Sequence, residues 1–162
     1  MQTDIIEIKK AVALEIYKKA DYNQKQVIKE LLGETFFKNI TDKIKTFEDA
    51  CTELNISPED VLHIAHSDYI KKDIDSINAY TKLIIIIRAL NEGWVPDWRN
   101  EDQYKYFPWF DMSSGSELVS DGYSSWFTSS LAGSRLCFRD RETAKYAGET
   151  FKDLYEEYFL IK

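Results

Sequence analysis

The sequence predicts an α+β fold, with a helical N-terminal half, a small antiparallel aromatic-rich sheet and a closing C-terminal helix. Three observations support this prediction. Residues 1–92 carry apolar side chains at helical spacing, residues 94–138 are rich in Trp, Tyr, Phe, Ser and Gly, and residues 139–162 return to a helical pattern. We expect one domain over residues 1–162, because a chain of this length buries enough surface for a single core.

The N-terminal half predicts a series of helices. The first is indicated by a stripe of apolar residues at spacings of three and four: Ile5, Ile8, Val12 and Ile16. A second short helix is expected over residues 23–32. It is expected to end at Gly33, because glycine is common at the position that follows a helix. A third follows Thr46, which forms a pattern resembling a capping box with Asp49.

The segment 73–92 predicts the central helix of the fold. Its β-branched run Leu83–Ile87 also suits a buried strand. A helix is favoured because Asp73 or Ser76 offers a cap and Gly93 offers a stop. Apolar side chains on every face of a helix indicate burial all round.

Short strands are expected after this helix. The first covers Tyr104–Met112, where Pro108 indicates an edge or a bulge. Two more, Glu117–Ser120 and Tyr123–Thr128, are joined at Asp121-Gly122, a dipeptide typical of hairpin turns. A fourth covers Arg135–Phe138.

The closing helix over residues 139–162 is expected to begin with Asp140 as its cap. Its small residues Ala144 and Gly148 lie four apart, so they share a face and let the helix approach the sheet closely.

Charge and composition exclude some classes of protein. The formal charge is −7, from 21 Lys+Arg against 28 Asp+Glu, which excludes direct non-specific binding to nucleic acid through phosphate neutralisation. The longest apolar stretch, Leu83–Ile87, is far shorter than the ~20 residues of a membrane span, so no membrane contact is expected. No signal peptide is apparent, and Cys51 and Cys137 are expected to be buried free thiols. A cytoplasmic location follows.

Catalytic patterns are weak, and we expect no enzyme, no cofactor and no metal. His63 and His66 would share a helix face, but no third metal ligand has diagnostic spacing. A nucleophilic Cys137–His66 pair has no supporting pattern. Four acids lie among the tryptophans, and solvated acids explain them as well as acid–base chemistry does: Asp97, Glu101, Asp102 and Asp111.

The most unusual feature is a concentration of aromatic residues. All four tryptophans, Trp94, Trp98, Trp109 and Trp126, fall within 33 residues, and Tyr106 lies among them. Either these side chains build the core against the helices, or part of them forms a binding surface, because Trp and Tyr are enriched at interfaces and stacking sites.

Two arginines flank the fourth expected strand. Arg135 and Arg139 are four apart, so in a strand they point to one face and would grip a phosphate or carboxylate beside the aromatic rings. The alternative is that both are solvated and one pairs with Asp140 or another acid. The candidate binding residues are therefore Trp94, Trp98, Tyr106, Trp109, Trp126, Arg135 and Arg139.

Four blocks of sequence are distinctive: Ile40–Cys51, Ala89–Trp98, Tyr104–Phe110 and Gly133–Phe138. Together they resemble a family of small uncharacterised proteins of bacteriophages and prophages that infect gut anaerobes. The resemblance covers roughly residues 40–160. It implies a phage-derived accessory protein, located in the host cytoplasm or associated with the virion, and it supplies no catalytic residue or cofactor.

The functional expectation is a non-enzymatic accessory protein that binds a host or phage protein through an aromatic-rich surface. One alternative is a protein that binds or sequesters a small anionic, nucleotide-type ligand between aromatic rings and arginines. A second alternative is a structural or assembly component of the virion. The sequence leaves the oligomeric state open.

Overall fold

The computed structural model describes residues 9–61, 73–113 and 117–161. The chain divides into two compact units, with the boundary between Asn39 and Ile40, and each unit is described by itself. The single domain expected from the sequence stays a prediction. None of the helices in the described ranges is long and apolar enough to cross a membrane.

Unit 1 is helical, as predicted. Helix α1 covers Lys10–Lys19, helix α2 covers Tyr22–Leu32, and a 3₁₀ turn covers Glu34–Phe37. A capping box begins α2, since the Gln24 amide donates to Asp21 Oδ1 at 2.9 Å and the Asp21 amide donates to Gln24 Oε1 at 3.0 Å. Gly33 ends α2 with a φ of 77°.

The apolar stripe predicted for the first helix does not form a core over the described part of α1. Val12 and Ile16 are exposed, whereas Ala13 is buried. Ile5 and Ile8 lie outside the described residues. In α2 no described residue is buried. The periodicity therefore predicted the helix correctly and its buried face incorrectly.

The described part of unit 2 begins with four helices: α3 (Ile40–Lys43), α4 (Phe47–Glu53), α5 (Pro58–Val61) and α6 (Ile74–Leu90). The predicted capping box of α4 is confirmed. The Asp49 amide donates to Thr46 Oγ1 at 3.1 Å, and the Thr46 amide donates to Asp49 Oδ2 at 2.9 Å.

Helix α6 is the buried centre of unit 2, which confirms the helical interpretation of its β-branched run. Its buried residues are Ala79, Leu83, Ile85, Ile86, Ile87, Ala89 and Leu90. Asp73 is its N-cap but makes no side-chain capping bond. The Ser76 hydroxyl instead donates to the carbonyl oxygen of Tyr158 at 3.0 Å. Gly93 follows the helix with a φ of 81°, which glycine adopts without strain.

The sheet has two antiparallel strands in the described residues, β1 (Lys105–Asp111) and β2 (Val119–Trp126). The predicted hairpin at Asp121-Gly122 is wrong, because both residues lie inside β2. They form a bulge opposite Trp109, between the pairs Pro108–Tyr123 and Phe110–Ser120. Gly122 has a φ of 89°, and both a hairpin turn and a bulge of this kind require such a backbone.

The expected fourth strand is also absent from the described residues. Phe138 makes one isolated bridge with Tyr106, in which the two residues exchange backbone bonds of 3.0 and 2.7 Å. The segment 135–138 therefore lies beside β1 without extending the sheet.

The closing helix consists of α7 (Arg141–Thr150) and α8 (Lys152–Phe159), with a break at Phe151. Asp140 caps α7 as predicted, since its Oδ1 accepts from the Thr143 amide at 2.8 Å. Gly148 faces β1 so closely that a Cβ atom there would lie 2.8 Å from Pro108 Cβ. The predicted close approach of helix and sheet is confirmed.

The core of unit 2 joins these elements around α6. Phe138, Ala144, Ala147 and Tyr155 pack with the buried residues of α4 and α6 in one apolar cluster. Both cysteines are buried free thiols, as predicted. In the described residues, helices α3–α6 therefore form one side of unit 2, and the two-stranded sheet with α7 and α8 forms the other. This is an α+β arrangement.

Candidate functional site

One candidate site lies on a face of the two-stranded sheet, and we call it the aromatic groove. Trp109, Trp126 and Leu131 form its rim and are 44%, 52% and 86% exposed, whereas Phe107 at its floor is 7% exposed. The groove encloses about 350 Å³. Two exposed indole rings thus stand above a buried ring.

The strand register explains why this space is open. Phe107 lies opposite Ser124, and the bulge at Gly122 lies opposite Trp109. Directly opposite residues in an antiparallel pair point to one face. Large side chains of β1 therefore face small residues of β2, and the unfilled volume becomes the groove.

The groove continues past Trp109 into a depression of about 360 Å³. Met112 and Phe159 line it and are exposed. Tyr155 also lines it and is buried, and among the described residues its hydroxyl has no hydrogen-bond partner. Burial raises the pKa of Tyr155, so its phenol stays protonated and keeps both a donor and an acceptor.

The chain segment that forms the aromatic groove is acidic. Residues 101–134 contain five acids, all exposed: Glu101, Asp102, Asp111, Glu117 and Asp121. The only base in this segment, Lys105, is buried at 1% exposure. Glu117 has a partner in Lys152, at 3.1 Å. The segment that forms the aromatic groove therefore carries a net negative charge.

Tyr106 lies on the opposite face of the sheet from Phe107. Its half-buried ring contacts Tyr123 at 5.7 Å and Tyr104 at 6.2 Å between centroids, and Tyr104 in turn contacts Phe127 at 4.7 Å. Tyr106 therefore belongs to a separate tyrosine cluster and does not line the aromatic groove.

The second candidate site is a cleft beside the C-terminal half of α6, and we call it the arginine cleft. It encloses about 640 Å³ between α6, the connector 94–96 and the loop 132–135. Arg88, Trp94 and Arg135 line it. The sequence-predicted Trp94 and Arg135 are thus brought together here.

Trp98 supports the arginine cleft from outside its lining. Its indole Nε1 donates to Ser134 Oγ at 2.6 Å, next to Arg135. The ammonium group of Lys105 lies 5.3 Å from the Trp98 ring centroid and donates to the Asn100 carbonyl at 3.1 Å. These contacts satisfy a buried charge by a cation–π contact and a hydrogen bond.

Arg139 does not line the arginine cleft. Its guanidinium binds Glu92 at 2.8 Å and Asp140 at 3.1 Å. Burial lowers the pKa of Arg139, but the hydrogen bonds to these two carboxylates outweigh burial and raise it. The expected strand with Arg135 and Arg139 on one face is therefore wrong. The alternative, in which one arginine pairs with Asp140, is confirmed.

The residues considered for catalysis have ordinary structural contacts where they are described. Asp97 and Asp111 accept backbone amide hydrogen bonds from Arg99 at 3.0 Å and Ser113 at 2.8 Å. Burial raises the pKa of the Cys137 thiol to about 11, so it is protonated at neutral pH. His63 and His66 lie outside the described residues. Within the described ranges, no group of three potential ligands is placed to hold a metal ion.

Two residues that matter for these surfaces, Arg88 and Leu131, were missed by sequence reasoning. Arg88 carried a signal, because it is the one charge in the apolar run from Leu83 to Leu90. A charge in such a helix marks a side that reaches solvent. Leu131 carried none, since a lone leucine among serines does not reveal its exposure.

Comparison of the chain with family models, with curated proteins and with solved structures finds no match. The resemblance to phage and prophage proteins therefore stays a prediction.

Proposed function

We propose that this protein is a non-enzymatic binding protein that docks a basic protein surface through the aromatic groove. One observation carries the proposal: Trp109 and Trp126 are exposed above the buried floor of Phe107, in a segment whose exposed charges are all acidic. Tryptophan is the residue most typical of interface hot spots.

The energetic argument rests on the two indole rings. In water, half of each ring's apolar surface is left uncovered, and a partner that covers it gains roughly 25 cal/mol for each Å² buried. Hot-spot tryptophans commonly contribute about 2 kcal/mol or more when truncated. The groove between Trp109 and Trp126 provides the concave, partly desolvated setting in which such residues act.

The chemistry of the partner follows from charge and stacking. Arginine side chains bind the faces of tryptophan rings and are drawn to acidic surroundings. We therefore expect a surface rich in arginine and apolar side chains, as on proteins that themselves bind nucleic acid.

The resemblance to phage proteins supports a host or phage protein as this partner. A virion or assembly component is the second candidate, since a subunit interface would use the same rings. The two differ in their partner: the docking protein binds a host enzyme or regulator, whereas the assembly component binds a capsid or tail protein.

The first test places a photo-crosslinking amino acid at position 126 in cells that contain the native partner. The matched control places it at position 22 in α2, where Tyr22 is also exposed. A cross-linked protein unique to position 126, identified by mass spectrometry, is the expected result. Identical products from both positions would contradict the proposal.

The second test measures the affinity of that purified partner for alanine variants. Trp109→Ala and Trp126→Ala should each weaken binding by about thirtyfold, the equivalent of ~2 kcal/mol. Tyr22→Ala should leave the affinity unchanged. Added salt should slow association, because the surrounding acids steer a basic partner. Unchanged affinity in both tryptophan variants, with the fold intact by circular dichroism, would refute the role of the groove.

A further inference from the structure

The arginine cleft is separate from the proposed docking function, and its lining has an unusual balance of charge. Arg88 and Arg135 both line it, and none of its described lining residues is acidic. Neither arginine makes a side-chain hydrogen bond or ion pair with any described residue. Such an unneutralised pair stands out in a chain with a formal charge of −7.

The acids nearest in sequence do not neutralise these arginines. Glu92, the acid nearest Arg88, binds Arg139 at 2.8 Å, and Asp140, the acid nearest Arg135, binds Arg139 at 3.1 Å. The C-terminal end of α6, where Arg88 lies, carries the negative end of the helix dipole. The helix dipole therefore does not attract an anion to this cleft, so the attraction must come from the two arginines.

One wall of the cleft includes an aromatic ring that stacks on no other described ring. Trp94 is half-buried and lines the cleft, and it makes no ring contact with another described residue. Tyr80, which also lines the cleft, is stacked on Tyr158 at 5.2 Å. An indole ring in one cleft with two arginines suits a planar ring attached to an anionic group.

The loop that carries Arg135 is held in place before any ligand arrives. Ser130 Oγ accepts hydrogen bonds from the amides of Ala132 at 3.0 Å and Gly133 at 2.6 Å. The Trp98 indole holds Ser134 at 2.6 Å. The cleft's other wall is also fixed, because Asn91 donates to the Cys137 carbonyl at 2.9 Å. A site fixed in this way loses little conformational entropy on binding.

We propose that the arginine cleft binds a nucleoside monophosphate, with the phosphate held by Arg88 and Arg135 and the base stacked on Trp94. The volume of about 640 Å³ lies within the range of pockets that hold small ligands. Guanidinium groups bind phosphate through paired, charge-assisted hydrogen bonds. Base stacking on an indole tolerates different bases, so we expect modest preference among them.

Isothermal titration of the full chain with AMP, GMP, CMP and UMP tests the proposal. We expect binding of at least one nucleotide, with adenosine and the other nucleosides about tenfold weaker or more, because they lack the phosphate. Ribose 5-phosphate should also bind more weakly than the nucleotides, because it lacks the stacking ring. No heat with any of the four nucleotides at millimolar concentration would overturn the proposal.

Variants assign the contacts. Arg88→Ala and Arg135→Ala should each weaken nucleotide binding by about tenfold or more. Arg99→Ala is the matched control, because Arg99 is exposed and does not line the cleft, and it should bind normally. Arg135→Lys keeps the charge but cannot form the paired hydrogen bonds. Its nucleotide affinity should therefore lie between those of the unsubstituted protein and Arg135→Ala. Trp94→Phe retains a smaller aromatic ring, so it should lower the affinity for nucleotides and leave the affinity for ribose 5-phosphate unchanged.

Two results would overturn the assignment even if a nucleotide binds. One is unchanged affinity in the Arg88→Ala and Arg135→Ala variants, with folding verified by circular dichroism. The other is tighter binding of a short single-stranded oligonucleotide than of any mononucleotide, which would indicate a polynucleotide surface. Because neither Trp109 nor Trp126 lines this cleft, failure here is distinct from failure of the docking proposal.

Discussion

Cys137 shows how burial dominates the chemistry of a side chain. Its thiol is fully buried, and burial raises its pKa from 9.0 to about 11, against smaller opposing effects of a backbone hydrogen bond and of the nearby Lys105 charge. A thiol that stays protonated is a poor nucleophile. The residue therefore acts as a small apolar group in the core.

This raised pKa predicts a loss of stability at alkaline pH. Between pH 9 and pH 11 the unfolded chain releases the Cys137 proton while the native protein retains it, so the free energy of unfolding falls as pH rises. Urea denaturation across this range should show a shallower fall for Cys137→Ala than for the unsubstituted protein.

Tyr155 and Cys51 also contribute to the loss of stability at alkaline pH. Burial raises the pKa of both groups, so part of the fall remains in the Cys137→Ala variant. The cavity left by the lost sulfur lowers stability equally at every pH and does not alter the slope. Parallel curves for the two proteins would contradict the assignment.

The contacts of some single residues could be predicted from the sequence, and those of others could not. Local patterns identify Thr46 and Asp49, whose capping bonds join residues three apart. The partners of Arg139 and the cleft that Arg135 lines depend on which chain segments fold beside these two residues. Glu92, which binds Arg139, is 47 positions away. Exposure of Trp109 and Trp126 depends likewise on tertiary packing.

At the scale of elements, α7 and β1 are joined by a contact that tolerates no side chain on the helix. A Cβ atom at Gly148 would lie 2.8 Å from Pro108 Cβ and 3.5 Å from a ring atom of Phe110. The 2.8 Å contact is too short for two carbon atoms and would push the helix away from the strand, whereas 3.5 Å is an ordinary contact.

Gly148→Ala should therefore destabilise the protein by about 1–3 kcal/mol through overpacking. At an exposed helical site the same change would stabilise the protein by ~1 kcal/mol, because alanine favours helices. Glu149→Ala, at the adjacent exposed position, is the matched control and should change stability by less than ~0.5 kcal/mol. A stabilised Gly148→Ala variant in urea denaturation would show that α7 is not held this close.

The elements also show where sequence patterns are ambiguous. The Asp121-Gly122 pair indicated a turn, but a bulge makes the same demand for positive φ at Gly122. The apolar run Leu83–Ile87 in α6 suited a strand and a helix alike. The capping residues before it and the glycine after it correctly indicated a helix. The helices were predictable from local spacing, whereas the number of strands depends on long-range pairing.

At the scale of the whole molecule, the two units differ in how much they bury. In α1 and α2, Ala13 is the only described side chain that is buried. Unit 2 contains the extended apolar cluster around α6. All four tryptophans lie beyond residue 39, so indole fluorescence reports on unit 2 alone.

We expect unit 1 to melt before unit 2, because a helix without a buried face gains little stability from packing. Thermal melts should lose part of the far-ultraviolet circular dichroism before the tryptophan fluorescence changes. A Tyr22→Trp variant places an indole in α2, and its added fluorescence should follow the earlier step. Coincident curves for all signals would show that the chain unfolds as one cooperative unit.

The loop 129–135 separates two concave surfaces and forms a wall of each. Leu131 stands at the rim of the aromatic groove, Arg135 lines the arginine cleft, and Ala132 lines both the cleft and the groove's adjoining depression. Anything bound on one side that displaces this loop changes the affinity on the other side. Thermodynamic linkage makes that change reciprocal, so each occupant alters the other's binding constant by the same factor.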